Sequence, residues 1–167
     1  FEGVEGTGKS FQINKLYKNL KKLNIKVEKS REPGGSKSAE KIRNLIFNKK
    51  SDKFDKLTDF YLMLAARNEH IKKKINKLKK KKTVLLCDRF TDSTHCYQVV
   101  GNGIDSKINK INNDYIIGKI KPNLTIVLKS NLNIISRRVK QRKNNNKFDN
   151  LKKNFFNSVQ NEFIKLA

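Results

Sequence analysis

Gly3-Val4-Glu5-Gly6-Thr7-Gly8-Lys9-Ser10 satisfies the pattern G-x-x-x-x-G-K-[ST] at every fixed position. Four fixed positions recur by accident in roughly one chain in a hundred or two of this length at ordinary residue usage. The flanks narrow the reading further. Ile13, Leu16, Leu20 and Leu23 follow at helical spacing, so a helix starts where the loop ends. Closely spaced glycines let successive backbone N–H groups turn toward one point, and the helix N-terminus adds partial positive charge. Lys9 can then reach the β- and γ-phosphates of a nucleotide, and the Ser10 hydroxyl suits Mg2+. A nucleoside triphosphate on Gly3, Val4, Glu5, Gly6, Thr7, Gly8, Lys9 and Ser10 is the first expectation. Only Phe1 and Glu2 stand where a whole strand should lead into the loop, so further residues are expected ahead of them.

Strand and helix signals alternate along the rest of the chain. Residues 25–27 read as a short strand running into the turn Arg31-Glu32-Pro33-Gly34-Gly35, with Ser36 as a helix cap. Ala39, Ile42, Leu45 and Ile46 predict an amphipathic helix, and Leu57, Phe60, Tyr61, Leu64, Ile71, Ile75 and Leu78 predict a longer one. The apolar run 84–87 ends in Asp88-Arg89, as a buried parallel strand with polar residues at its carboxyl end would. Residues 124–128 predict a second such strand. Helices are expected over about 132–142 and around Phe156, Val159, Phe163 and Leu166, with a flexible Asn-rich loop at 144–150. The expected fold is α/β: one three-layer domain over 1–167, a central parallel sheet flanked by helices, with ligands at the strands' carboxyl ends.

Composition bears on partners. The 167 residues carry 39 basic and 15 acidic side chains, a net charge of +24, which would attract any polyanion. The excess is mostly lysine, 32 against seven arginines, and 21 asparagines accompany it. Lysine runs such as 79–82 look like drift at tolerant surface positions. Aromatics are not interleaved with the basic residues as in an RNA-binding domain, so nucleic acid is the weaker reading. No apolar stretch reaches the roughly 20 residues of a membrane span. Two cysteines make no disulfide framework, which suits a reducing compartment. Cys87, Cys96, His70 and His95 are too few and too scattered for a metal site and receive no chemistry.

Against this lysine background the retained arginines point to sites that need a planar fork. Arg31, Arg67, Arg89, Arg138 and Arg142 all lie in segments that look functional. Asp88 at the end of a buried strand is placed to hold a metal or its water, and Arg89 to grip a phosphate; adjacent Asp and Arg also occur as plain surface pairs. Arg138 and Arg142, four apart, share a helical face and could close over a triphosphate as a lid, or belong to an ordinary basic helix surface.

Together these segments resemble the thymidylate kinase family. The opening through Ser10, the Arg31–Gly35 turn, Leu64-Ala65-Ala66-Arg67, Asp88-Arg89-Phe90 with Ser93-Thr94 and Tyr97-Gln98, and Pro122-Asn123-Leu124-Thr125 occur in the family's order. The resemblance implies a phosphotransferase that moves the γ-phosphoryl of ATP to dTMP, with Mg2+, in dTTP biosynthesis. Lys9, Arg89, Arg138 and Arg142 would be catalytic, with a lid at about 138–150 of the bacterial type. Glu5, Arg31, Met63, Arg67, Arg89, Ser93, Thr94, Tyr97 and Gln98 would bind dTMP, Arg67 at the thymine edge. Ser10 and Asp88 would hold the metal. A homodimer in the cytoplasm is implied, with an organelle still open, and a strand and helix beyond Ala167.

The chain departs from the family pattern at several positions. Met63 stands where a stacking Phe is usual, Asn102 where an Arg is usual, Lys129 where an acid ends the strand, and Asn146-Lys147 where the lid has Asp-Arg. Met63 leaves room for a relaxed acceptor choice, dUMP or dGMP. A basic nucleic-acid-binding protein built on the same loop, and a kinase that binds nucleotides but turns over slowly, are the remaining alternatives.

Overall fold

The computed structural model describes residues 1–48, 53–141 and 153–167. In chain order they form α1 (Lys9–Lys22), β1 (Val27–Arg31), α2 (Lys37–Phe47), α3 (Lys56–His70), α4 (Asn76–Lys80), β2 (Val84–Asp88), α5 (Thr91–Thr94), α6 (Ser106–Ile117), α7 (Leu132–Lys140) and α8 (Lys153–Leu166). Wider π-type turns join α3 to α4 at Ile71–Ile75 and extend α5 through His95–Gly101.

β1 and β2 pair in parallel, from Val27 opposite Val84 to Arg31 opposite Asp88. Phe1 and Glu2 extend this sheet. The Phe1 amino group donates to Cys87 O at 2.9 Å, and Arg89 N donates to Phe1 O at 2.9 Å. On the other side Glu2 N donates to Ile126 O at 2.8 Å and Leu128 N to Glu2 O at 2.9 Å. Four parallel segments thus lie side by side, with the opening residues in the interior. Residues 124–128, expected as a full buried strand, bridge only at Val127, and Leu124 is exposed.

The two-residue period of strands assigns every side chain to a layer. Phe1, Val27 and Leu86 pack against Ile13, Leu16, Tyr17 and Leu20 of α1. Glu2 and Ser30 point to the opposite face, toward α5 and α3 respectively. There Val4, Val127, Cys96 and Tyr97 pack with Ile135 and Val139 of α7 and with Phe156, Val159 and Phe163 of α8. The three-layer α/β expectation is the observed architecture.

Four local readings change. The strand expected at 25–27 begins at Val27 and runs to Arg31. Leu57 and Tyr61, assigned to the apolar face of the long helix, are half exposed; Phe60 and Leu64 of that face are buried, with Met63 beside them. Helix α6 was not expected at all. Its apolar Ile108, Ile111 and Tyr115 face solvent and its buried residues are Asn109 and Asn113, so its periodicity signals no core face. The helix expected to run to Arg142 ends at Lys140; Arg142 and the Asn-rich 144–150 segment lie outside the described residues.

Gly3 crosses the sheet where a side chain has no room. Its φ is +127°, and a Cβ there would lie 2.2 Å from Leu128 O, a backbone atom that cannot swing away. Gly3→Ala should therefore destabilise the protein by about 3 kcal/mol or more, read as a lowered urea midpoint.

Candidate functional site

Two clefts open at the carboxyl ends of the parallel segments and share a wall. The larger, enclosing about 1550 Å³ of space that includes open solvent, is lined by residues 5–12 with Arg31, Glu32, Arg43, Asp88, Arg89 and Arg138. The smaller, about 560 Å³ on the same measure, has Met63, Arg67, Phe90, Thr94, Tyr97 and Gln98 on its walls. Glu5, Glu32, Arg43 and Arg89 border both.

The larger cleft is built around the first turn of α1. Gly8, at φ 97°, turns the chain into the helix and leaves the early N–H groups open to a ligand. Lys9 is buried and folds back, donating to Gly3 O at 2.8 Å and Val4 O at 2.9 Å. Burial lowers its pKa to about 7, helped by the nearby Arg89 and opposed by Asp88, Glu5 and Glu2. Asp88 ends β2 on the α1 side of the sheet, so its Oδ2 accepts from Ser10 Oγ at 3.2 Å. Among the described residues nothing hydrogen-bonds the buried Asp88 Oδ1. Arg138 of α7 donates to Gly6 O at 3.0 Å, bringing one of the expected lid arginines onto the loop.

Arg89 stands on the shared wall. Its backbone has a φ of 71°, and its guanidinium donates to Glu5 Oε1 at 2.7 Å, to Gly3 O and Ser93 Oγ at 3.1 Å, and to Tyr97 Oη at 3.4 Å. The guanidinium also lies 5.0 Å from the centre of the Tyr97 ring. Tyr97 donates to the other Glu5 oxygen. Burial raises the Glu5 carboxyl, but Arg89, Lys9 and the Tyr97 hydroxyl outweigh it and hold the pKa below its ordinary value. Burial drives the Tyr97 hydroxyl well above its own.

Met63, Arg67, Ser93, Thr94, Tyr97 and Gln98 all line the smaller cleft. Arg31 borders the larger cleft instead, half exposed and held to Glu40 at 2.9 Å. Arg67 is more deeply embedded than a contact residue need be. It donates to Glu32, Asn113, Phe90 O and Thr94 at 2.6–2.9 Å.

Several participants were not singled out in the sequence. Glu32 lies in a turn that was recognised, yet only the fold brings it to Arg67. Glu2 accepts from Phe90 N and Ser93 Oγ at 2.6 Å each, beneath Arg89. Arg43 lines both clefts and donates to Pro33 O at 2.8 Å. The scarcity of arginine could have pointed to Arg43; nothing local marked Glu2.

The depressed Lys9 has a measurable consequence. Without ligand its displacement opposes folding fully below about pH 7, and that opposition fades as pH rises toward the ordinary value of 10.5. A bound polyphosphate restores the charge. ATP binding at pH 8 should therefore take up close to one proton, seen as a binding enthalpy that varies with the buffer's ionisation enthalpy, and Lys9→Met should abolish the uptake.

Comparison with known proteins agrees with this geometry. A family model described as thymidylate kinase matches residues 1–167. The thymidylate kinase of Vesicomyosocius okutanii subsp. Calyptogena okutanii (strain HA) is 37% identical over 164 residues, covering 98% of this chain and 80% of that protein. That of Caulobacter vibrioides (strain ATCC 19089 / CIP 103742 / CB 15) is 41% identical over 128 residues, covering 77% of this chain and 62% of its own length. The crystal structure of thymidylate kinase from Ehrlichia chaffeensis superposes with a TM-score of 0.79 at 30% identity, covering 100% of this chain and 78% of that one. With the phosphate loop, the paired clefts and the sequence in agreement from Phe1 to Ala167, this chain belongs to the thymidylate kinase family.

Proposed function

We propose that the protein transfers the γ-phosphoryl group of ATP to dTMP, giving dTDP and ADP. The observation that carries this reading is the wall shared by the two clefts. A phosphate-binding loop lines one side, an apolar pocket with a few polar groups lies on the other, and Arg89 and Glu5 border both. Phosphoryl transfer requires donor and acceptor in line with charge stabilisation between them, and little covalent chemistry from the protein. An oxygen of the acceptor phosphate forms the new bond to phosphorus as the bond to the bridging oxygen of ADP breaks.

The roles follow from position. The loop N–H groups and Lys9 hold the ATP phosphates, with Lys9 leaving its carbonyl partners for them. Arg89 grips the acceptor phosphate and neutralises charge that develops between the substrates. Met63, Phe90, Pro33 and Phe47 supply the flat apolar walls a pyrimidine needs, and Arg67 with Gln98 its polar edge. Glu5, Ser93, Thr94 and Tyr97 border the sugar and phosphate. Arg138, with Arg142 beyond it in sequence, serves as the lid's cationic contribution, and Arg31 stands at the phosphate junction.

The site also suits Mg2+. A hydroxyl and a carboxylate with one buried oxygen that has no partner among the described residues are the hard oxygen donors that ion takes, so Ser10 and Asp88 would hold it. Bound there with ATP, it would supply charge neutralisation on the β- and γ-oxygens. The same reading includes a homodimer, a cytoplasmic setting and a place in dTTP supply.

A coupled ADP-release assay with dTMP, dUMP, dGMP, AMP and CMP tests the reading. Strong preference for dTMP is expected; comparable rates on several acceptors would show that Met63 relaxes selection, and no turnover on any would overturn the kinase reading. Arg89→Ala should lower kcat/KM for dTMP about a thousandfold. Arg89→Lys should recover little of it, because an ammonium cannot reproduce the fork of contacts to Glu5, Gly3 and Ser93. Asp88→Asn should raise the Mg2+ concentration for half-maximal rate about tenfold while leaving dTMP binding unchanged.

A further inference from the structure

We propose that His70 is a positioning residue for the acceptor cleft: through Glu32 it fixes the guanidinium of Arg67, and so sets how tightly the base edge is read. The proposal rests on the acceptor reading of the smaller cleft, and it concerns a residue to which the sequence assigned no chemistry.

Arg67 and His70 lie three apart on α3, on one helical face. Both converge on one carboxylate. Arg67 Nε donates to Glu32 Oε2 at 2.7 Å, and His70 Nδ1 lies 2.9 Å from Glu32 Oε1. A carboxylate accepts and does not donate, so Nδ1 carries the hydrogen and Nε2 is left for the Ser30 hydroxyl at 2.6 Å. Ser30 belongs to β1, on the sheet face that looks toward α3. The relay therefore runs from a rigid strand, through a fully buried ring, to a glutamate in a turn, and ends on the guanidinium.

Each member needs the next. Glu32 follows the last residue of β1 and carries three side-chain torsions, so Arg67 alone would fix only one of its oxygens. His70 holds the other. The ring is in turn pressed by the Pro33-Gly34-Gly35 turn: a Cβ on Gly35 would lie 2.6 Å from its Cδ2 and Nε2. On the far side Asn113 accepts from Arg67 Nη1 at 2.6 Å and donates to Asn109 at 2.7 Å. Four of the five Arg67 N–H groups are thus committed, and one Nη1 hydrogen has no partner among the described residues. Arg67 lines the smaller cleft, where a single remaining donor favours a carbonyl over an amino group at the base edge, and its placement depends on both braces holding.

The test uses steady-state kinetics with dTMP and dCMP together with the Arg67 Nε–H resonance in NMR. His70→Leu should raise KM for dTMP about tenfold, leave KM for ATP within about twofold, and narrow the preference for dTMP over dCMP. His70→Asn, whose amide nitrogen takes the place of Nδ1, should restore KM to within about threefold of the parent. Ser30→Ala, the mildest change, should give a rise of about two- to threefold. The Arg67 Nε–H signal should exchange slowly in the parent and His70→Asn and quickly in His70→Leu. An unchanged KM and unchanged signal in His70→Leu would overturn the proposal; if that variant does not fold, unchanged values in Ser30→Ala would do the same. Equal rises in both KM values would reduce His70 to a general structural role. Absence of dTMP turnover in the parent, with an Arg67 signal that still depends on His70, would sink the kinase reading and leave the positioning role standing.

Discussion

The ion pair between Arg89 and Glu5 joins two parts of the chain that the rest of the site is arranged around: the phosphate-binding loop and the carboxyl end of β2. At 2.7 Å, with both side chains mostly out of water, it is strong only because its remaining lone pairs and hydrogens are used by Tyr97, Ser93 and Gly3 O. Breaking such a pair by removing one partner leaves an uncompensated buried charge, which costs about 3–5 kcal/mol. The pair also fixes geometry. It sets Arg89 at the boundary of both clefts and keeps Glu5 ionised, so that the loop presents a carboxylate on one side and N–H groups on the other.

Acidic residues are scarce in this chain, and the fold places several of them here. Glu2, Glu5, Glu32 and Asp88, out of 15 acids, lie at or beneath the site. Each faces a positively charged or hydrogen-donating group: Arg89 for Glu5, Arg67 and His70 for Glu32, Ser10 for Asp88, and Phe90 N with Ser93 for Glu2. Lys9 apart, most of the described lysines are exposed at the surface, where water and salt screen them. A chain can tolerate that load because self-repulsion at the surface is weak compared with the balanced charges inside.

Much of the site was legible because its chemistry is written in contiguous residues. The loop from Gly3 to Ser10, the Asp88-Arg89 pair and the Ser93–Gln98 segment each need particular residue types at fixed spacing, and residues of each line the paired clefts, though Gly3 and Val4 line neither. The helix α6 was illegible for a physical reason. Its buried face is Asn109 and Asn113, which serve Arg67 through hydrogen bonds and not through apolar contact, while Ile111 and Tyr115 face outward. A hydrophobic period cannot report a helix docked by amides. The segment 124–128, expected as a full strand, pairs at Val127 alone, through the hydrogen bonds of Ile126 and Leu128 to Glu2.

Sequence alone determined the phosphate loop, the parallel α/β class, the pairing of an acid with an arginine after β2, and the family. All of these follow from local steric and hydrogen-bonding demands that leave their mark within a few residues. Tertiary structure decided which charges meet. Glu5 and Arg89 are 84 positions apart, Glu32 and Arg67 35, and Ser30 and His70 40. No spacing rule reaches so far along a chain. Parallel pairing places Phe1 and Glu2 between β2 and Val127, and strand alternation sends Asp88 to α1 and Ser30 to α3. Those pairings hold because a charge or polar group taken out of water is tolerated only beside a partner, and the fold alone supplies one.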